Sequence, residues 1–249
     1  MLTRVFAVGL MAGLLAGLMV ALLQAYTTTP IIIEAERYEN ATSAGPSANL
    51  DGFGGARLIL VHAGVDHEHG ADASEWSPAD GLERTLLTSI ATIGTAVGFS
   101  MILLAGMLAA GDPITEPTAM AWGASGFAAA GLAPAMGLAP EVPGLMAADL
   151  IARQQWWMMT CAMTAAAVWL FLRAQNPWLR LLAVPVLLAP HLWGAPHVPL
   201  DAAARVPAEL AARFAAVSLT VQCVLWMATG FFVGFLWQRI GAAVGSPDG

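Results

Sequence analysis

Residues 5–25 read VFAVGLMAGLLAGLMVALLQA, a stretch without a single charged side chain. A bilayer core about 30 Å thick takes roughly 20 helical residues to cross. The run is therefore long enough to span a membrane. Gly9, Gly13 and Gly17 recur every four residues, so they share one helix face and allow a second backbone to come close. Arg4 ahead of an apolar run also resembles the start of a secretory signal. The run, however, exceeds the ~7–15 residues of a signal core, and Leu23-Gln24-Ala25 is a poor small-x-small cleavage site. It is read as a retained helix.

The rest of the chain repeats the signal. Apolar runs follow at 86–110, 119–139, 156–172, 179–193 and 214–238. Of the 249 residues 58% are hydrophobic and 11% charged, against about 25% charged in soluble proteins. The expected fold is an all-α integral membrane protein, a bundle of five to six transmembrane helices with one long acidic hydrophilic loop. It divides into a first helix (1–26), the loop (27–84), the remaining bundle (85–239) and a short tail (240–249). Two spans are weaker: Pro134 interrupts the third, and Pro185 and Pro190 fall in the short fifth. Broken helices are tolerated at membrane depth where they line a cavity or are buried in protein, so five full spans plus one re-entrant segment is a live alternative. Gly94 and Gly98, and Gly230 and Gly234, are further close-packing pairs. Trp156, Trp157, Trp178, Trp193 and Trp237 near run ends suit interfacial belts.

All ten basic residues are arginine. Without lysine there is no P-loop ATPase, no Schiff-base chemistry and no lysine general base. No compact catalytic spacing such as HExxH occurs, and the chain is expected not to be an enzyme. Cys161 and Cys223 lie in apolar runs without CxxC spacing and read as packing residues. The methionines, Met158, Met159 and Met163 among them, also read as packing.

The loop 27–84 holds ten carboxylates against three arginines and accounts for the whole net charge of −7. Within it stand His62, then Asp66-His67-Glu68-His69-Gly-Ala-Asp72. In extended structure His67 and His69 point to one side, with His62 or Asp72 near enough to complete a divalent-cation site. The alternative is a solvated polar loop. Glu34, Glu36 and Glu39 form either a cation funnel or a solvated helix end. Ser77 or Asp80 is the expected cap of the second span. The hydroxyls of Thr85, Thr88, Ser89, Thr92 and Thr95 line up on that helix, either along a hydrated path or bonded to carbonyls four residues back.

Later in the chain, Asp149 and Arg153 are spaced to pair on a helix, as are Glu209 and Arg213. Glu141, between Pro140 and Pro143, has no local partner. His191 ends the broken fifth span, as either a ligand or a satisfied core histidine. Arginines near helix ends divide evenly between the two faces, so the positive-inside count is a tie. The acidity of the loop favours placing it outside.

Taken in order, the Arg4 helix with its glycines, Glu34-x-Glu36-x-Tyr38-Glu39, the His/Asp loop, Asp80-Gly81-Leu-Glu83-Arg84-Thr85, Pro140-Glu-Val-Pro-Gly144, Asp149-x-x-x-Arg153-Gln-x-Trp156-Trp157, Pro190-His191-x-x-Gly194-Ala-Pro196 and Pro207-Ala-Glu209 resemble the CbtA family of proposed cobalt transporter subunits. The resemblance implies a multi-pass protein of the bacterial inner membrane, tied to cobalamin biosynthesis. It also implies a small single-helix, histidine-rich partner (CbtB-like) in the lipid bilayer. Association with further copies of itself is allowed, and no nucleic acid is expected. No catalytic residue and no permanently bound cofactor follow from it. Co2+ is the transported ion, although affinity order alone does not set it apart from Ni2+ or Zn2+. The expected metal residues are His62, His67, Glu68, His69 and Asp72 in the loop, then Glu141 and His191 near the path. The rival reading is a non-transporting accessory or structural subunit.

Overall fold

The computed structural model describes residues 1–43, 81–198 and 206–244. His62, His67, Glu68, His69 and Asp72 lie outside them, as do Ser77 and Asp80. Among the described residues there is no strand. The long helices are α1 (Leu2–Tyr26), α2 (Thr28–Ser43), α3 (Leu82–Ala110), α6 (Leu150–Arg173), α7 (Pro177–Trp193) and α8 (Ala208–Val244). Between α3 and α6 the chain runs through α4 (Glu116–Phe127), a π-turn (Ala128–Leu132) and the short α5 (Ala133–Ala135) without interruption. Four helices, α1, α3, α6 and α8, are long and apolar enough to cross a membrane. The shorter α7 and the composite α4–π–α5 are the two proline-bearing segments, which agrees with five to six passes.

Local chemistry sets the boundaries. Pro30 has no N–H to donate to Tyr26, which weakens the helical bonding where α1 meets α2; at the joint the Thr27 hydroxyl donates to the Leu23 carbonyl. Helix α3 begins at Leu82 with Gly81, not Ser77 or Asp80, at its N-cap. It ends at Gly111 with φ +70°, where the Asp112 and Gly111 amides donate back to Met107 and Leu108. A left-handed residue of this kind is the common glycine end to a helix. Thr115, Asp149 and Asn176 cap α4, α6 and α7 through their side chains.

The glycine face of α1 packs on α3. A Cβ at Gly13 would sit 2.3 Å from the Val97 Cα, a distance no side chain could occupy. Gly230 on α8 meets α4 in the same way, its missing Cβ 2.4 Å from the Ala119 carbonyl oxygen. Gly94 and Gly98 differ from the expectation: among the described residues nothing lies within 4 Å of either position, so their side of α3 makes no close contact with a described helix. Val8, Leu104, Met107, Trp226 and Val233 form the main core where α1, α3 and α8 meet, with Phe99 stacked on Trp226. Leucines such as Leu10, Leu14, Leu18, Leu181 and Leu188 face outward. This is the surface a bilayer solvates.

Long-range polar contacts mark the two ends of the bundle. At one end Arg4 lies 4.0 Å over the Trp237 ring and donates to the Trp237 carbonyl, and Arg173 pairs with Asp112. At the other end Arg84 pairs with Glu36 of α2, and Arg153 pairs with Glu141. Ile31, Ala35, Val142, Val206 and Leu210 close this second end with an apolar plug. Helix α2 leaves from this end and α3 starts at it, so the acidic segment is attached here at both sides.

Candidate functional site

Glu141 is positioned by its neighbour. Val142 is 3% exposed and buried in the apolar plug, while Pro140 and Pro143 restrict the backbone on either side. The Leu145 amide turns back to the Val142 carbonyl, and Gly144 takes φ +84°, a conformation suited to glycine. With Val142 held inward, the Glu141 side chain is left on the wall of a vestibule of about 480 Å³. Arg153, Gln154, Trp157, Met158 and Gln222 share that wall.

Arg153 is the partner Glu141 lacked in the sequence. The expected Asp149–Arg153 pair does not form; Asp149 is the N-cap of α6, and its carboxylate accepts the Ala152 amide at 2.9 Å. The Arg153 guanidinium turns to Glu141 instead, the two side chains being 28% and 26% exposed. Its Nε is buried with no acceptor among the described residues. Glu209 and Arg213, the second expected pair, are both exposed and form no ion pair with each other.

The far wall of the vestibule is the π-turn. Pro134 has no N–H, so it can donate to neither the Ala129 nor the Ala130 carbonyl. Widened turns of this kind often sit at functional sites. A Cβ at Gly131 would lie 2.5 Å from Gln222 Oε1, so glycine here lets that amide oxygen reach the turn. Sequence reading passed over Gln222; its signal was a carboxamide in the middle of an apolar run.

His191 is placed differently. Its ring meets Trp156 edge-on with centroids 5.9 Å apart, and Trp156 donates its indole N–H to the Pro190 carbonyl at 3.2 Å. It lies at the Glu141 end but does not line the vestibule. Among the described residues no three His, Cys, Asp or Glu side chains gather as a metal cluster. The hydroxyl row of α3 is largely engaged with its own backbone, since Thr85, Ser89 and Thr95 donate to carbonyls four residues back. Thr92 bonds Gln24 across to α1. Glu36 of the expected funnel is held by Arg84.

A second, mostly apolar cavity of about 710 Å³ runs toward the opposite end. Asp112 stands at its mouth and accepts from the Trp122 indole at 2.8 Å as well as from Arg173. The Arg173 guanidinium lies 4.9 Å over the Trp169 ring. Asp112 also escaped the sequence reading. Ala130, Trp157 and Met158 line both cavities.

Cavities set into a lipid-facing helical bundle define a multi-pass membrane protein. The family model for the probable cobalt transporter subunit CbtA matches residues 2–238. The chain belongs to that family. No curated protein and no solved structure matches it.

Proposed function

We propose that this chain is the membrane-embedded subunit through which Co2+ is taken up across the bacterial inner membrane for cobalamin biosynthesis. The acidic segment, on the outer side, collects the ion through His62, His67, Glu68, His69 and Asp72, and the ion passes to the vestibule. There Glu141 supplies the anionic ligand, and the amide oxygens of Gln154 and Gln222 supply neutral ones. His191 acts from the same end. Imidazole and oxygen donors suit Co2+, and also Ni2+ and Zn2+. A single-helix histidine-rich partner would deliver the ion at this face.

One observation carries the reading: a carboxylate opens on a vestibule at the end of the bundle where the acidic segment is attached. Glu141 faces both a cavity and a cationic partner, the setting in which ionisable groups of membrane proteins are usually found. The experiment is cellular cobalt accumulation with Glu141→Gln, at matched protein levels. A fall of about tenfold or more is expected, and wild-type accumulation would remove Glu141 from the path.

A further inference from the structure

A row of α6 residues that winds about halfway round the helix lines both cavities. Every fourth residue from Arg153 through Trp157, Cys161, Ala165 and Trp169 to Arg173 borders the vestibule, the second cavity or both. At 1.5 Å per residue the two arginines are about 30 Å apart along the helix, close to the thickness of the hydrocarbon core. Each is paired with a carboxylate at the mouth of its own cavity, Arg153 with Glu141 and Arg173 with Asp112. The same device thus occurs at both ends of one helix.

Resting on the proposed function, we propose that the two cavities are halves of one cation route along α6, with Asp112 as its second ion site and Ala130, Trp157 and Met158 as the seal between them. Each arginine is a tethered counter-cation. Guanidinium does not deprotonate in proteins, so the carboxylate is freed only by displacement. A divalent ion interacts with it twice as strongly as a monovalent one at equal distance, so it is the better competitor for the carboxylate held by arginine once it has shed its water. The lining of the second cavity between Asp112 and the seal is mostly apolar, the kind of constriction that gates by excluding water.

The test has two arms. In the first, cobalt accumulation is compared for Glu141→Gln and Asp112→Asn at matched protein levels. Both are expected to fall about tenfold or more. Loss in Glu141→Gln with wild-type uptake in Asp112→Asn would overturn the route and leave the proposed function standing; wild-type uptake in Glu141→Gln would overturn that function and this route with it. In the second arm, Ser125→Cys, on the wall of the second cavity, is placed in a Cys161→Ala/Cys223→Ala background. A charged, membrane-impermeant thiol reagent added from the Asp112 face is expected to label it, with Co2+ slowing the reaction at least twofold. Labelling only by a membrane-partitioning maleimide would make the cavity a lipid groove and overturn the route. If Asp112→Asn does not accumulate in the membrane, the labelling arm decides alone.

Discussion

Arg153 passes over Asp149, one turn back on its own helix, and pairs with Glu141 in the loop before it. Asp149 caps α6 instead, accepting the Ala152 amide through one carboxylate oxygen. The result is a counter-charge placed at the mouth of a vestibule. A helix face stapled within itself would have left Glu141 alone there.

Because the pair is only partly exposed, breaking it should be measurable in stability as well as in uptake. A double-mutant cycle of Glu141→Gln and Arg153→Gln, followed by thermal unfolding in detergent, is expected to give a coupling of about 1 kcal/mol. Additive effects would mean that the pair contributes nothing.

Gln222 and Gly131 should act as a unit. Gln222→Ala removes an oxygen from the vestibule, and Gly131→Ala pushes the same oxygen away by placing a Cβ where only 2.5 Å is available. Each is expected to raise the cobalt concentration for half-maximal uptake by about three- to tenfold. The double variant should be no worse than the poorer single one, and a multiplicative loss would dissociate the two residues.

Glycine substitutions separate packed faces from open ones. Gly13→Leu drives a side chain into the α3 backbone beside Val97 and should cost more than the ~1–3 kcal/mol usual for overpacking, seen as loss of folded protein in the membrane. Gly94→Ala and Gly98→Ala meet nothing within 4 Å and should leave the melting temperature unchanged or slightly raised.

A collecting role for the histidines makes a concentration-dependent prediction. His62→Ala/His67→Ala/His69→Ala is expected to reduce uptake severalfold at limiting cobalt and to leave it near wild type at saturating cobalt. Equal loss at both concentrations would place these histidines on the obligatory path instead.

Most of the spans could be read from the chain directly, because membrane crossing is decided by hydropathy summed over roughly 20 consecutive residues. Pro134, Pro185 and Pro190 marked the two segments that are not uniform long helices. Glu141 was legible as an acid without a local partner. Its true partner was not, because the distance between residues 141 and 153 depends on the turn at Gly144 and on Val142 being buried among Ile31, Val206 and Leu210. Gln222 and Asp112 went unread for the same reason: a single polar residue in or beside an apolar run has no pattern until another helix comes against it.

What the sequence determined by itself is the membrane bundle, the acidic histidine segment and the family. Each is a property of neighbouring residues or of ordered motifs. The tertiary structure alone decided which glycine faces touch, which acid each arginine meets and where the cavities run, since these depend on contacts between helices far apart in the chain.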